Sequence, residues 1–423
     1  MAEMRKPIPV EEAINRIWKR RITGEIEHVS IRDCDNRRLA EDIVAKHPVP
    51  PFPKSPYDGF AFRSADTIEA SRNNPVTFKV VEHIGAGQVP EKILHKGEAT
   101  RIMTGAKIPD GADCVAMFEI CQTYEEDNQS FMSIKRTMDS GQNIIGEGSE
   151  VAEGEELIEK GTIINPGIKA VLATFGYSQV KVAKKPVIGV IATGTELLDV
   201  GEELQPGKIR NSNAYMIESQ IIRAGADYKY FGKLEDKFDS SYDMINEILN
   251  EVDILITTGG VSVGDFDLMP AIYEKLGADV LFNKVAMRPG SVTTVATNGE
   301  KILYGLSGNP SACYVGFELF VRPIVQHYLH NSHAFQRRVK AILGDDFPKP
   351  NPFTRFVRCY LLYENSRLYA KLAGIDKSNV VTSLAHTSGL MVLPGGTRGF
   401  KAGDEADVLL LDDQQGQPEF KTI

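Results

Sequence analysis

The stretch Asp253-Ile-Leu-Ile-Thr-Thr-Gly-Gly-Val-Ser-Val-Gly-Asp-Phe-Asp267 restricts this chain more than any other. Its apolar run, Ile254 to Ile256, has the pattern of a parallel strand buried on both faces. The run stops at Thr257-Thr258-Gly259-Gly260. Paired glycines let the chain turn sharply and bring bare backbone close to a ligand. Asp265 and Asp267 follow at once. Two readings stand: a strand-end loop where phosphate and Mg²⁺ meet, or an ordinary strand-to-helix connection whose acids cap a helix starting near Leu268.

Bulk properties narrow the class. A chain of 423 residues with 42% hydrophobic and 25% charged residues has material for several globular cores, two to four domains. No run reaches the ~18 apolar residues of a membrane helix, and the first residues lack the apolar core of a signal peptide. The five cysteines are scattered without zinc-like spacing, which fits a reducing cytoplasm. A net charge of −9 argues against broad nucleic-acid binding. A small anionic ligand remains compatible, since it needs only a local cluster of cations, N–H groups or a metal.

In chain order, Val10, Ala13, Ile14, Ile17 and Trp18 form one helical stripe over 10–20. The segment His47 to Ala61 carries five prolines within ten residues, so it is extended and stiff. It serves either as a linker or as a rigid mount for Tyr57 and Asp58, with a turn at Gly59. Short alternating strands over 75–135 predict a small β module. Thr104-Gly105-Ala106 within it is an anion contact or a plain β-turn. Residues 155–181 read as strand, small helix and strand, packing back on the N-terminal helix.

From Val187 the pattern is strand, helix, strand, predicting a parallel sheet with helices on both faces. Three strand ends carry polar loops: Thr193-Gly-Thr-Glu196, Gly232 to Asp236, and Thr257 to Asp267. In such sheets these ends line one crevice, so Glu196, Asp236, Asp265 and Asp267 should converge and call for a cation such as Mg²⁺. Lys284 and Arg288, beside the Pro289-Gly290 turn, suit an anionic substrate or are surface ion pairs. Ser307-Gly308-Asn309-Pro310 opens a helix over 311–328 and offers an anion cradle. His327, His330 and His333 complement the end of that helix. The last ninety or so residues read as a small β-barrel or sandwich, with Arg355, Arg358, Lys377 and Ser378 as anion contacts or solvated faces.

The motifs PPFPKSPYDGFA, RIMTGAKIPDGAD, GTEL, TTGGVSVGDFD, MRPG and YGLSGNPSA occur in that order. Singly they are weak; together they closely resemble the MoeA family of molybdopterin molybdenumtransferases, which includes the E domain of gephyrin. The resemblance implies a multidomain fold of α/β and β parts: a mixed linker domain (1–52 and 144–181), an inserted β domain (53–143), a three-layer α/β molybdopterin-binding domain (182–329) and a C-terminal β-barrel (330–423). It implies a homodimer with sites shared between subunits. The implied reaction inserts molybdate into adenylylated molybdopterin with Mg²⁺-assisted release of AMP. Asp58, Thr104, Glu196, Asp236 and Asp267 match the family's catalytic positions; Glu196, Asp265 and Asp267 are the implied metal ligands. Substrate contacts carried over are Gly259, Gly260, Ser262, Gly264, Lys284, Arg288, Pro289, Gly290, Ser307, Asn309, Arg358 and Ser378. Arg288 stands where some members carry Lys, and a second barrel arginine has no clear counterpart because Phe353 occupies its place. Partners implied are the adenylyltransferase that supplies the substrate and the enzymes that accept the cofactor. The competing readings are a molybdopterin adenylyltransferase, which needs only the α/β domain, and a dimeric binding scaffold.

Overall fold

The computed structural model describes residues 6–235, 237–260, 268–413 and 416–420. They form two compact units, one of residues 42–159 and 174–176, the other of residues through Glu41, 160–173 and from Tyr177 onward.

The larger unit is built on a six-stranded sheet. Its strands are β1 (Val187–Thr193), β2 (Asp227–Leu234), β3 (Ile254–Thr258), β4 (Asp279–Phe282), β5 (Thr294–Asn298) and β6 (Lys301–Leu306), in the spatial order β2-β1-β3-β6-β5-β4. The first four in space run parallel, pairing Ile188 with Ile254 and Ile254 with Ile302. The sheet is therefore mixed rather than all parallel, because β5 is antiparallel to both β6 and β4. A two-residue turn explains the reversal. Asn298 pairs with Lys301 across Gly299-Glu300, and Gly299 sits at φ 60°, the left-handed backbone that tight hairpins use. Glycine at the first of the two loop positions is the sequence signal for this turn.

The period-two alternation of the strands sorts side chains into two cores. Ile188, Val190, Ile254, Ile256 and Tyr304 face one side, where they meet Ile217 and Ile221 of helix α1 (Ser212–Ala224) and Phe317 and Phe320 of the last helix. Ile191, Leu255 and Leu303 face the other, against Ile245 and Ile248 of α2 (Phe238–Ile248) and Ile272 of α3 (Met269–Lys275). The result is the expected three-layer α/β arrangement. Each buried Ile contributes about 1.5–3 kcal/mol, more than the few tenths per residue by which helix propensities differ. Packing, not propensity, holds these helices.

The last helix runs as α4 (Pro310–Gly316), a π turn (Phe317–Val321) and α5 (Arg322–Tyr328). Pro323 has no N–H for the carbonyl of Leu319, so the regular ladder slips there. The N-terminal helix is Val10–Trp18, and Val10, Ala13, Ile14 and Ile17 join the first core as its stripe predicts. Strand Gln179–Ala183 pairs with Ile26–Ser30, and Ala183 packs into the same core. The five strands Arg338–Leu343, Thr354–Glu364, Arg367–Leu372, Gly389–Leu393 and Glu405–Leu410 close into a barrel, since Thr354–Glu364 pairs with both Arg367–Leu372 and Gly389–Leu393.

In the smaller unit, six strands surround Phe60, Phe62, Phe78 and Met132. Gly59 does not make the expected turn; it opens the strand Gly59–Phe62. A Cβ there would lie 2.0 Å from the Ala116 carbonyl oxygen, so glycine is needed for close strand approach. The proline-rich segment is not a free linker. Ser55 donates its N–H to the Ala106 carbonyl at 3.0 Å and accepts from the Gly105 N–H at 2.8 Å.

One buried carboxylate joins several of these elements. Glu318, in the π turn, is 0% exposed and accepts from Arg223 at 2.5 Å, Gln220 at 2.6 Å and Arg322 at 3.2 Å. The charges of Arg322 and Arg223 and the hydrogen bond from Gln220 outweigh its desolvation, so its pKa lies below the ordinary value. A depressed folded pKa means the stabilisation is present above the unfolded pKa and is lost as pH falls through the folded one. Replacing Glu318 by Ala leaves the buried Arg322 without its carboxylate, while the exposed Arg223 keeps Asp412 at 3.2 Å. We expect a loss of about 3–5 kcal/mol in urea unfolding; a loss below ~1 kcal/mol would contradict this account.

Candidate active site

A cavity of about 1080 Å³ opens at the carboxyl ends of β1, β2, β3 and β6. From β1 the chain runs to β2 on one side, and β3 lies on the other. The cavity therefore sits at the switch point where open α/β sheets bind ligands. Its walls are Thr193 to Leu197 from β1, Leu234 and Glu235 from β2, Thr258 to Gly260 from β3, and Ser307 to Pro310 from β6.

Glycine is required where these strand ends crowd together. Gly259 lies at φ 85° and Gly260 at φ 60°. A Cβ on Gly259 would stand 2.7 Å from the Thr193 carbonyl oxygen, and one on Gly260 would stand 2.7 Å from the Thr193 hydroxyl. That hydroxyl is fixed by donating to the Thr258 carbonyl at 3.1 Å. Not every N–H at these turns is free. Gly259 donates to the Leu306 carbonyl at 3.0 Å. The anticipated cradle at 307–310 is narrowed likewise: Asn309 N–H donates to the Ser307 hydroxyl at 3.2 Å, Ser311 N–H to the Ser378 carbonyl at 3.0 Å, and Pro310 has none. Ligand contact there falls to Gly308 and the side chains of Ser307 and Asn309.

The start of α1 forms another wall that the sequence reading did not single out. The Asn211 carboxamide oxygen caps the helix by accepting from Ala214 N–H at 3.2 Å, and its NH₂ donates to the Tyr230 hydroxyl at 3.0 Å. Asn213 donates to the Gly308 carbonyl at 2.9 Å, while its own carbonyl oxygen is buried without a partner. The Asn-Ser-Asn run before an apolar period is a helix-start signal; its second Asn was the available clue. Arg210, Glu235 and Asn379 also line the cavity without having been anticipated.

Of the anticipated acids, Glu196 lines the cavity; Asp236, Asp265 and Asp267 lie outside the described residues, as do Ser262 and Gly264. Lys284 and Arg288 are exposed and stand outside the cavity wall. Pro289 and Gly290 do so too; Gly290 turns at φ 86° beside Met287 and Ala312.

Asp58 and Thr104 meet in the smaller unit. Thr104 donates its N–H at 2.7 Å and its hydroxyl at 2.8 Å to one Asp58 oxygen. The backbone bond first, then the hydroxyl, hold the Asp58 carboxyl below the usual range. The pair is exposed, so the carboxylate is oriented yet open to a ligand.

In the barrel, Arg358 is 3% exposed. It donates to the Ser383 hydroxyl at 2.9 Å and to the carbonyls of Ile375 at 3.0 Å and Lys377 at 3.3 Å. Arg355 and Lys349 converge on Asp376 at 2.9 and 3.2 Å. These cations fix the loop 375–380. Ser311 ties that loop to α4 by donating its hydroxyl to the Val380 carbonyl at 2.6 Å. Asn379 thereby reaches the cavity wall, whereas Arg358 does not. One Arg358 nitrogen, Nη1, stays buried without a partner.

Two outcomes follow from this geometry. Gly259→Ala places a side chain at positive φ against backbone, so it should cost about 1–3 kcal/mol and abolish ligand protection in thermal unfolding; wild-type stability would refute the crowding. Thr104→Val keeps the N–H bond and removes the hydroxyl. The Asp58 pKa should then rise partway toward its ordinary value in a ¹³C carboxyl titration, and no change would deny the hydroxyl its role.

The sequence and fold have close relatives. The profile of the MoeA N-terminal region (domains I and II) matches residues 8–176, that of the probable molybdopterin binding domain 189–327, and that of the MoeA C-terminal region (domain IV) 340–411. Molybdopterin molybdenumtransferase from Bacillus subtilis (strain 168) is 57% identical, over 98% of this chain and 97% of its own. The enzyme of the same name from Staphylococcus aureus (strain MRSA252) is 49% identical, over 99% of each. The crystal structure of the molybdopterin biosynthesis MoeA protein from Pyrococcus horikosii superposes with a TM-score of 0.86 at 30% identity, covering 96% of this chain and 99% of that one. The chain belongs to the MoeA family of molybdopterin molybdenumtransferases.

Proposed function

We propose that this chain is a transferase of molybdenum cofactor biosynthesis that inserts molybdate into adenylylated molybdopterin and releases AMP. The observation that carries the reading is the switch-point cavity, walled by Glu196, Gly259, Gly260, Ser307 and Asn309, in a chain 57% identical end to end to a molybdopterin molybdenumtransferase. The single-domain adenylyltransferase reading leaves the N- and C-terminal MoeA regions without a purpose. The profile breaks at 176/189 and 327/340 fit boundaries near 182 and 330, and the division 1–52 with 144–181, 53–143, 182–329 and 330–423 is proposed with them.

The donors described around the cavity are hard ones. Glu196 and Glu235 supply carboxylates, and threonine and serine hydroxyls surround them; no thiol or imidazole is among the described lining residues. That set fits Mg²⁺, which Glu196, Asp265 and Asp267 would hold, with Asp236 as a further catalytic acid. When bound, Mg²⁺ offsets the charge that develops as a phosphoanhydride breaks. The chain's own residues bind and orient. Gly260 and Gly308 let phosphoryl oxygens approach the backbone, and Ser307 and Asn309 offer side-chain hydrogen bonds. Water attacks the adenylyl phosphorus, the anhydride P–O bond breaks with the terminal phosphate of molybdopterin as leaving group, and AMP is released; the two dithiolene thiols form two Mo–S bonds with molybdate, and their protons leave with one displaced oxygen as water. In a cytoplasmic homodimer, Asp58 and Thr104 of one subunit serve the cavity of the other. Lys284 and Arg288 with the Pro289-Gly290 turn, together with Ser378, hold the molybdate oxyanion, and Arg358, which donates to the Ile375 and Lys377 carbonyls, shapes the loop that carries Ser378. The adenylyltransferase supplies the substrate and molybdenum enzymes accept the product.

The test is AMP release from adenylylated molybdopterin, with and without molybdate and Mg²⁺. Release should require both, and Asp267→Asn and Asp58→Asn should each lower it about 10²-fold with the fold retained. Nucleotide binding without AMP release would instead make the chain a carrier or scaffold. Unchanged rates in both variants would remove these acids from the site.

A further inference from the structure

A second cavity, of about 540 Å³, lies at the other end of α1, beside Ala224 and Gly225. Helix α1 spans about 20 Å, so the two cavities are well apart. Five cations line this one, Arg37, Arg38, Lys185, Arg223 and Arg322, against a single carboxylate, Asp35. Asp35 is itself engaged by Lys169 at 2.6 Å.

Four of the cations have carboxylates of their own. Arg37 pairs with Glu27, Arg223 and Arg322 share Glu318, and Lys185 stands 3.6 Å from Asp227. Arg38 has none among the described residues. It is nonetheless 7% exposed, where an unpaired charge is costly. Its guanidinium carries five N–H donors. Two are used, Nη1 to the Gly161 carbonyl at 2.7 Å and Nη2 to the Gln326 carboxamide oxygen at 2.5 Å. Burial, and then the charge of Arg322, pull the Arg38 pKa down to about 10, so it stays charged at neutral pH. As a clamp between Gly161 and Gln326 alone, a neutral amide would serve without that cost. Among the described residues the Arg38 charge is therefore left for an anion in the cavity to answer.

We infer that this cavity binds a dianionic tetrahedral oxyanion group, with Arg38 as the buried cation that meets it and Lys185 as the cation at the rim. A guanidinium with donors to spare suits such a group, because two parallel N–H bonds match two of its oxygens. The volume lies within the range of small-ligand sites, about 300–1000 Å³, so a phosphate monoester fits as well as an inorganic oxyanion. The proposal does not depend on the function argued for the first cavity.

The test counts sites. Equilibrium dialysis of the full-length chain with radiolabelled inorganic phosphate, at fixed ionic strength, should show one equivalent more for wild type than for Arg38→Gln. Lys185→Gln, at the exposed rim, keeps the fold whatever becomes of Arg38→Gln, and should weaken that equivalent about five- to tenfold. Displacement by excess AMP identifies a phosphate monoester as the preferred form; displacement by sulfate or molybdate alone identifies an inorganic oxyanion. Equal stoichiometry in wild type and Arg38→Gln, or an unchanged isotherm in Lys185→Gln, overturns the proposal.

Discussion

The Glu318 carboxylate is the interaction on which the placement of the larger unit's parts depends. Its oxygens accept from Gln220 and Arg223 on α1 and from Arg322 on α5, and its backbone carbonyl accepts from Gln336 at the entry to the barrel. Arg322 goes on to donate to the carbonyls of Leu411 at 2.6 Å and Asp413 at 2.8 Å at the barrel's exit. One buried charge thus locks a helix, the end of the longest helix and both ends of the barrel. Apolar packing against the sheet tolerates small sliding, whereas a buried carboxylate met by fixed donors has one low-energy arrangement. The π turn that carries Glu318 follows from Pro323, so a single missing N–H shifts the ladder where that carboxylate must point.

The first cavity inherits its precision from this lock. With its last turn clamped through Gln220 and Arg223, α1 presents Asn211, Ser212 and Asn213 at a fixed height above the strand ends. The opposite wall is backbone. Gly259 and Gly260 press on Thr193, and Gly308 lies 3.5 Å, measured from where its Cβ would be, from the Gly259 Cα. Three strand ends therefore meet with the short Thr193 side chain packed between them. A ligand there meets main chain and short polar groups, which lose little entropy on binding.

The sequence made much of this legible for stated reasons. Ile254 to Ile256 and Val187 to Ala192 are buried on both faces, and only a sheet covered by helices satisfies such runs; the structure has one. The glycine positions were readable as close approaches, but their partners were not, because Thr193 is sixty-six residues before Gly259 in the chain and neighbours it only through strand pairing. For the same reason Asn213 went unnoticed: its partner, the Gly308 carbonyl, belongs to a distant loop. Gly59 was misjudged because a turn and a strand crossing both demand glycine, and composition does not separate them. Arg358 and Ser378 were legible as polar residues in a barrel. That Arg358 spends its donors on Ser383, Ile375 and Lys377, and so shapes a loop rather than the cavity wall, depends on tertiary contacts alone.

The two cavities at the ends of α1 have opposite electrostatic needs. Around the first, the described charges are Glu196 and Glu235 against Arg210, so the proposed phosphorylated substrate would share the cavity with more carboxylates than cations. At ~4 Å two like charges repel by about 4 kcal/mol at an effective dielectric near 20, so such a substrate requires a cation carried in with it or already held by the acids. Around the second, Arg38 supplies a charge that no carboxylate among the described residues answers, and the need is for an anion. The two cavities adjoin opposite ends of α1, and they are linked to Glu318 by different routes. Arg322, which lowers the Arg38 pKa, is a donor to Glu318; α1, whose first residues wall the acidic cavity, is held to Glu318 by Gln220 and Arg223. Arg322 and Arg223 line the basic cavity while donating to Glu318, so the carboxylate that positions α1 also holds two of the basic cavity's cations in place.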